Sequence, residues 1–198
     1  MDKKTPKFRF KGFSDTWEQR KFGDIGSVSM CKRIFKEQTS EYGDIPFYKI
    51  GTFGGQPDAF IDRKLYEEYK KKFSFPDKGD ILLSASGTIG RIVEYDGADA
   101  YFQDSNIVWI ANNEKIVTNF FLYYIYSIID WKVDGGTIKR LYNYNLKSSI
   151  IPVPSLSDQQ RIVSILDTFE ASIQNLEAQL SQREKQYEYY RNKLLTFE

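Results

Sequence analysis

The chain has 198 residues, with 28 Lys+Arg against 27 Asp+Glu, 15 Phe, 14 Tyr and 3 Trp, but no His and one Cys. The missing His excludes a histidine general base or metal ligand, and the lone Cys31 excludes an internal disulfide. The aromatic content argues against a disordered chain, and a net charge of +1 against a protein that grips its partner through phosphate contacts alone.

In chain order, residues 1–16 read as an irregular basic lead-in, and Trp17 to Ile25 starts the ordered domain. Residues 1–36 hold 10 basic and 4 acidic side chains, so the basic character is strongest here. Ile45 to Ile50 reads as a strand, followed by the loop Gly51 to Pro57. Lys64 to Phe73 reads as a short charged helix. Asp80 to Ser84 and Ile89 to Tyr95 read as strands across the turn Ala85–Thr88, and Ser105 to Ile110 as a further strand. Thr118 to Trp131 is an aromatic helix, and its apolar run Phe120 to Ile129 is too short to span a bilayer. Gly135-Gly136 breaks that helix and opens a polar, basic stretch through Asn145. Leu146 to Val153 reads as the last strand, with Pro152 and Pro154 at its exit. Short strands and scattered helices predict an α+β domain, closest to an irregular barrel or folded sheet.

From Ile162 the pattern changes. Ile162, Leu166, Phe169, Ile173, Leu176, Leu180, Arg183, Tyr187, Tyr190 and Leu194 step by 4, 3, 4, 3 and so on. All but Arg183 are apolar or aromatic, and neither Pro nor Gly follows Pro154. A period of 3.5 sustained this far predicts a coiled-coil seam on a helical rod of about 60 Å. Ser157 with Gln160 makes a capping box at its start, and Ser155 with Asp158 is the other candidate cap. A single helix cannot bury its own stripe, so a partner is expected. Arg183 reads either as a long stem packing with its charge turned outward, or as a device that sets register or orientation.

Four segments carry a family resemblance. They are Pro6-Lys-Phe-Arg-Phe-Lys-Gly-Phe-Ser-Asp-Thr-Trp17, Gly79-Asp-Ile-Leu-Leu-Ser-Ala-Ser-Gly-Thr-Ile-Gly90, the stretch Leu146 to Asp167, and the tail Tyr187 to Phe197. In this order they resemble the specificity subunit of type I restriction-modification enzymes, with Asp158 where that family carries Glu. The resemblance implies a target recognition domain over 1–155 and a conserved coiled-coil helix over 156–198. Family members generally have two of each in one chain, so this one looks like half a subunit, natural or excised. It further implies double-stranded DNA as a partner, with methyltransferase subunits and, through them, a restriction subunit. Two copies would pair as a homodimer through antiparallel helices. It implies no cofactor on this chain: S-adenosylmethionine, ATP and Mg²⁺ would sit on partner subunits. Met1-Asp-Lys-Lys-Thr-Pro-Lys7 is not an apolar leader, and with a single Cys a cytoplasmic, non-membrane protein is expected.

Within that frame the DNA-binding candidates fall into four groups. Lys32, Arg33 and Lys36 form a basic cluster suited to phosphate, and Gly51 with Thr52 lies in a loop that could approach a groove closely. Ser86, Thr88 and Arg91 flank the hairpin turn, and Lys139, Arg140, Tyr142 and Asn143 interleave base-reading and phosphate-binding groups. The bland reading of the turn is a hairpin that uses Gly for its backbone, and that of Lys139–Asn145 is a polar loop with two half-buried tyrosines. Cys31 reads as a small core residue. The dimer seam comprises the nine apolar positions given above.

Two rival readings stand beside this one. The first is a coiled-coil scaffold whose domain binds protein. The second is a metal-dependent nuclease, because Asp58 followed by Glu68 and Lys70 matches a loose carboxylate–carboxylate–lysine pattern. Glu68 and Lys70 fall two apart on a helix, where they do not share a face.

Overall fold

A computed structural model describes Gly12, residues 16–135 and residues 139–197. The expected lead-in up to Asp15, apart from Gly12, and the segment 136–138 lie outside the described residues. The chain divides into two compact units, Met1–Gln159 and Gln160–Glu198.

The first unit is an α+β domain built on small sheets rather than one folded sheet. One four-stranded antiparallel sheet has the order β2-β9-β6-β7, formed by β2 (Gly26–Ser29), β9 (Ile107–Asn112), β6 (Ile81–Ser84) and β7 (Ile92–Glu94). The second has the order β3-β5-β4-β8, formed by β3 (Thr39–Ser40), β5 (Phe60–Ile61), β4 (Ile45–Tyr48) and β8 (Tyr101–Phe102), and only its β4–β8 pair is parallel. A two-stranded ribbon pairs β1 (Glu18–Lys21) with β10 (Ile150–Val153), setting Glu18 opposite Val153 and Lys21 opposite Ile150.

Burial explains the strand patterns. β6 and the first four residues of β9 are fully buried, so they read as continuous apolar runs, whereas β4 alternates buried and half-buried residues. The two four-stranded sheets share one aromatic core. Tyr101 lies at its centre, 5.9 Å from the Phe75 ring and 6.3 Å from Tyr69, with its hydroxyl donating to the Lys32 carbonyl at 3.0 Å. Cys31 is in this core, as expected, and burial pushes its thiol up to about 12. Phe22, in the short helix α1 (Phe22–Ile25), is fully buried and stacks on Trp131 at 5.8 Å. Gly26 is required by close approach: a Cβ there would fall 2.2 Å from the Ala111 carbonyl oxygen on the paired strand.

Helix α2 (Arg63–Lys72) starts where the Asp62 carboxylate accepts the Lys64 amide at 2.8 Å. Its last turn carries Lys70, Lys71 and Lys72, which suit the negative end of the helix dipole. Helix α3 (Asn119–Ile128) is capped by the Thr118 hydroxyl, which accepts from the Phe121 amide at 3.1 Å. Trp131 lies beyond this helix, against Gly90.

Several boundaries differ from the sequence reading; the aromatic helix ends at Ile128 instead of Trp131 and the strand from Ile45 at Tyr48 instead of Ile50. The strand expected from Ile89 begins only at Ile92, because Gly90 adopts φ +89 within a longer turn. The strand expected from Ser105 begins at Ile107, because Ser105 itself turns the chain with φ 55. The segment from Asn143 is helical: α4 covers Asn143–Ser148, so Leu146 belongs to a helix and the last strand is only Ile150–Val153. The long helix α5 covers Leu156–Leu195, and its cap is Ser155, whose Oγ accepts the Asp158 amide at 3.2 Å, in place of Ser157. Its 40 residues give a rod of about 60 Å. Among the described residues no helix is long and apolar enough to cross a membrane.

Candidate functional site

The loop Gln103–Asn106 ties together residues that are remote in sequence. Gln103 hydrogen-bonds through its amide to the Tyr48 carbonyl at 2.9 Å, and its side-chain oxygen accepts the Ile50 amide at 2.8 Å, which anchors the start of the Gly51–Thr52 loop. Asp104 accepts Arg33 Nε at 2.9 Å. Asn106 Oδ1 accepts both Ser86 Oγ at 2.7 Å and Arg140 Nη2 at 2.9 Å. The backbone closes the same junction: Ala85 donates to the Asn106 carbonyl at 2.7 Å, and Leu141 donates to the Ala85 carbonyl at 2.9 Å. Arg33, the 50–52 loop, Ser86 and Arg140 are therefore joined to one short segment. The sequence reading named none of its four residues as functional.

The hairpin turn is held from within. Ser84 Oγ donates to the Thr88 carbonyl at 2.5 Å and accepts the Arg91 amide at 2.8 Å. Arg91 then donates Nη1 to the Phe53 carbonyl at 2.7 Å, linking the turn to the 51–55 loop. Thr52 Oγ1 caps its own loop by accepting the Lys49 amide at 3.1 Å. Gly51 is exposed, and a Cβ on it would meet nothing within 4 Å. Ser86 is buried, so its hydroxyl positions Asn106 and does not itself face solvent.

The segment after 138 divides in the same way. Lys139 and Asn143 are exposed, whereas Arg140 is half-buried and exchanges two backbone hydrogen bonds with Asp134, at 3.0 and 2.8 Å. Tyr142 and Tyr144 stack with ring centroids 5.8 Å apart at 11°, and both are exposed, not half-buried. The Tyr144 hydroxyl and the Asn145 amide both donate to the Asp134 carboxylate, which holds its pKa below the usual carboxylate range. The same bond raises the Tyr144 hydroxyl above its ordinary value.

The remaining basic candidates have other surroundings. Lys32 lies over the Phe73 ring at 5.3 Å, and Lys36 is exposed in a single turn of 3-10 helix, Lys36–Gln38. The nuclease pattern is dispersed: Asp58 pairs with Lys49 at 2.8 Å, Glu68 with Lys72 at 3.0 Å, and Lys70 donates to the Tyr66 hydroxyl at 2.9 Å.

A second residue missed in the sequence holds the start of α5. Gln159 is fully buried; its amide nitrogen donates to the carbonyls of Ile116 at 2.9 Å and Pro154 at 3.0 Å, and its oxygen accepts the Thr118 amide at 2.9 Å. These bonds tie the first turn of α5 to the segment just before α3.

In the second unit the expected seam is open to solvent. Phe169, Ile173, Leu176, Leu180, Tyr187, Tyr190 and Leu194 are each more than half exposed, while Ile162 and Leu166 are half-buried. Arg183 donates to Gln186 at 2.8 Å within its own helix.

The family described as Type I restriction modification DNA specificity domain matches residues 14–184. A putative type I restriction enzyme specificity subunit of Haemophilus influenzae is 58% identical over 180 residues, covering 88% of this chain and 47% of that protein. Among solved structures, a chain from work on assembly and conformational transition of a type I R-M system superposes with a TM-score of 0.68 at 18% identity, covering 98% of this chain and 47% of that one. The type I restriction-modification S subunit of M. genitalium superposes with a TM-score of 0.64 at 20% identity, covering 96% of this chain and 48% of that one. The chain thus spans about half the length of each of these relatives.

Proposed function

The chain belongs to the type I restriction-modification DNA specificity family, and from that premise we propose that it is a DNA-reading half of a specificity subunit. The globular unit reads one half of a bipartite duplex site. The long helix pairs with that of a second copy and docks methyltransferase subunits, through which a restriction subunit joins. The chain performs no catalysis itself. S-adenosylmethionine is held by the methyltransferase, and ATP with Mg²⁺ by the restriction subunit. Residence in the cytoplasm follows from such a role.

The observation that carries the DNA-reading assignment is the junction at Asn106. With Oδ1 occupied by Ser86 and Arg140, the Arg140 guanidinium is held in place before any ligand arrives. A guanidinium fixed by one nitrogen keeps further donors for a guanine edge, and Lys139, Tyr142 and Asn143 stand exposed beside it in sequence. Arg91, anchored to the Phe53 carbonyl, supplies positive charge to the same set of loops, and Arg33, ion-paired with Asp104, supplies guanidinium donors. Few cations are involved, so the isolated chain should bind duplex DNA weakly, with an affinity that falls as salt rises.

Selection from a random duplex library tests this, using the full chain with and without a type I methyltransferase. The expected result is enrichment of a bipartite motif in the presence of the methyltransferase. No enrichment, together with co-elution of an unrelated protein, would favour a scaffold instead. Light scattering tests the pairing: the wild type should be a dimer at micromolar concentration, and Phe169, Ile173 and Leu176 all replaced by Asp should give monomers. Each seam side chain contributes roughly 1.5–3 kcal/mol when buried.

A further inference from the structure

We infer that Arg183 fixes the antiparallel direction of the paired helices by meeting two carboxylates, Glu170 and Glu177, of a second copy of this chain. The inference rests on the helix pairing proposed above and adds what sets its orientation.

The seam is symmetric about residue 178. Ile162 and Leu194 lie sixteen residues to either side of it, Phe169 and Tyr187 nine, and Leu176 and Leu180 two. Two copies laid antiparallel with their 178 positions opposed therefore match every seam side chain to another. In that alignment Arg183 meets the partner's Ile173, because each lies five residues from the centre.

Charge then decides the direction. Glu170 and Glu177 each follow a seam residue, Phe169 and Leu176, by one position, so they border the seam on the same edge and bracket Ile173. The Arg183 stem can lie across the partner's Ile173 while its guanidinium reaches those two carboxylates. Within its own helix it donates to a neutral amide, Gln186 at 2.8 Å, which is a weaker acceptor than a carboxylate. Parallel, in-register pairing is worse. It sets Arg183 against its own copy within an otherwise apolar and aromatic seam, with only Glu184 bordering each. Like charges facing one another across a seam penalise that alignment.

Spin labels on Asn192→Cys in a Cys31→Ser background read the direction in the full-length dimer. Position 192 is fourteen residues from the centre, so the labels should be separated by about 42 Å in an antiparallel pair and about 10 Å in a parallel one. The wild-type seam should give the long distance alone. Arg183→Leu should tighten the dimer at least tenfold yet show both distances. Glu170→Lys with Glu177→Lys should weaken the dimer at least tenfold, and adding Arg183→Glu should restore it. An Arg183→Leu variant that keeps only the long distance, or a wild type that shows the short one, would overturn the role assigned to Arg183. Absence of any distance between labels means a monomer and removes the helix-pairing reading together with this inference.

Discussion

The side chain of Gln159 closes on the backbone of Thr118, accepting its amide at 2.9 Å while Gln159 itself is fully buried. One glutamine thus satisfies the residue that caps α3 and, through its nitrogen, the Ile116 carbonyl just before α3 and the Pro154 carbonyl just before α5. Gln159→Ala leaves one buried and two half-buried backbone groups without that partner. At roughly 1–3 kcal/mol for each unpaired group, with partial rescue by water, a loss of about 3 kcal/mol is expected. Urea denaturation measures it; a change below about 1 kcal/mol would show that the latch is dispensable.

Gly26 and Gly51 should respond in opposite ways. Gly26→Ala forces a Cβ to within 2.2 Å of the Ala111 carbonyl and should destabilise the domain by about 2–3 kcal/mol, as overpacking does. Gly51→Ala meets nothing within 4 Å, so its melting temperature should be unchanged. If the 51–52 loop lies against a groove, however, Gly51→Ala should weaken DNA binding. Thermal melts and fluorescence anisotropy on both variants separate packing from contact.

Lys139→Ala with Arg140→Ala should weaken DNA binding by about 1–3 kcal/mol if either reads a base, and should relax the preference at that position. Asn106→Ala should reproduce part of the loss without removing any charge, because it releases Arg140 from its 2.9 Å anchor. Unchanged affinity and sequence preference in both variants would remove this junction from the interface.

The Asp134 carboxyl is held below its usual range by the Tyr144 hydroxyl and then by the Asn145 amide. A depressed folded value means that this contribution is present above the unfolded carboxylate range, about pH 4, and is lost as pH falls through the lower folded value. Amide exchange in α4 should therefore accelerate in acid. Asp134→Asn should exchange equally at both pH values after correction for the intrinsic rate; an acid-sensitive α4 in that variant would assign the effect elsewhere.

If paired helices set the distance between half-sites, seven residues inserted between Gln179 and Leu180 keep the heptad and lengthen each helix by about 10 Å. The DNA spacer should grow by about three base pairs, with half-site sequences unchanged. Genome-wide mapping of methylated sites in cells carrying the inserted chain reads this directly. Methylation persisting at the old spacing would leave the helix as a dimerisation handle only.

Strong periodicity makes the helix α5 legible, because a 3.5-residue repeat is a local property of the chain. The buried runs around Leu82 and Ile110 are legible for a similar reason, since continuous apolar character is also local. Leu146 reads as strand from sequence because one apolar residue before Lys147-Ser148-Ser149 carries no period; only its burial at the end of α4 identifies it. Asn106 and Gln159 are invisible as organisers. Their partners lie 20 and 34 residues away for Asn106, and 41 and 43 for the contacts of Gln159 with Thr118 and Ile116, so no local pattern marks them. Polar side chains reveal such roles only once the chain is closed around them.

The ribbon of β1 and β10 gives that closure a wider meaning. Lys21 is paired with Ile150, so everything between them hangs as one loop from two adjacent strands. Such a layout is a cassette: another sequence of similar ends can be exchanged at the ribbon while the flanking helix is left as it was. On the DNA-reading role proposed above, exchanging that segment alone would change the target while leaving the helix, and whatever pairs with it, unaltered.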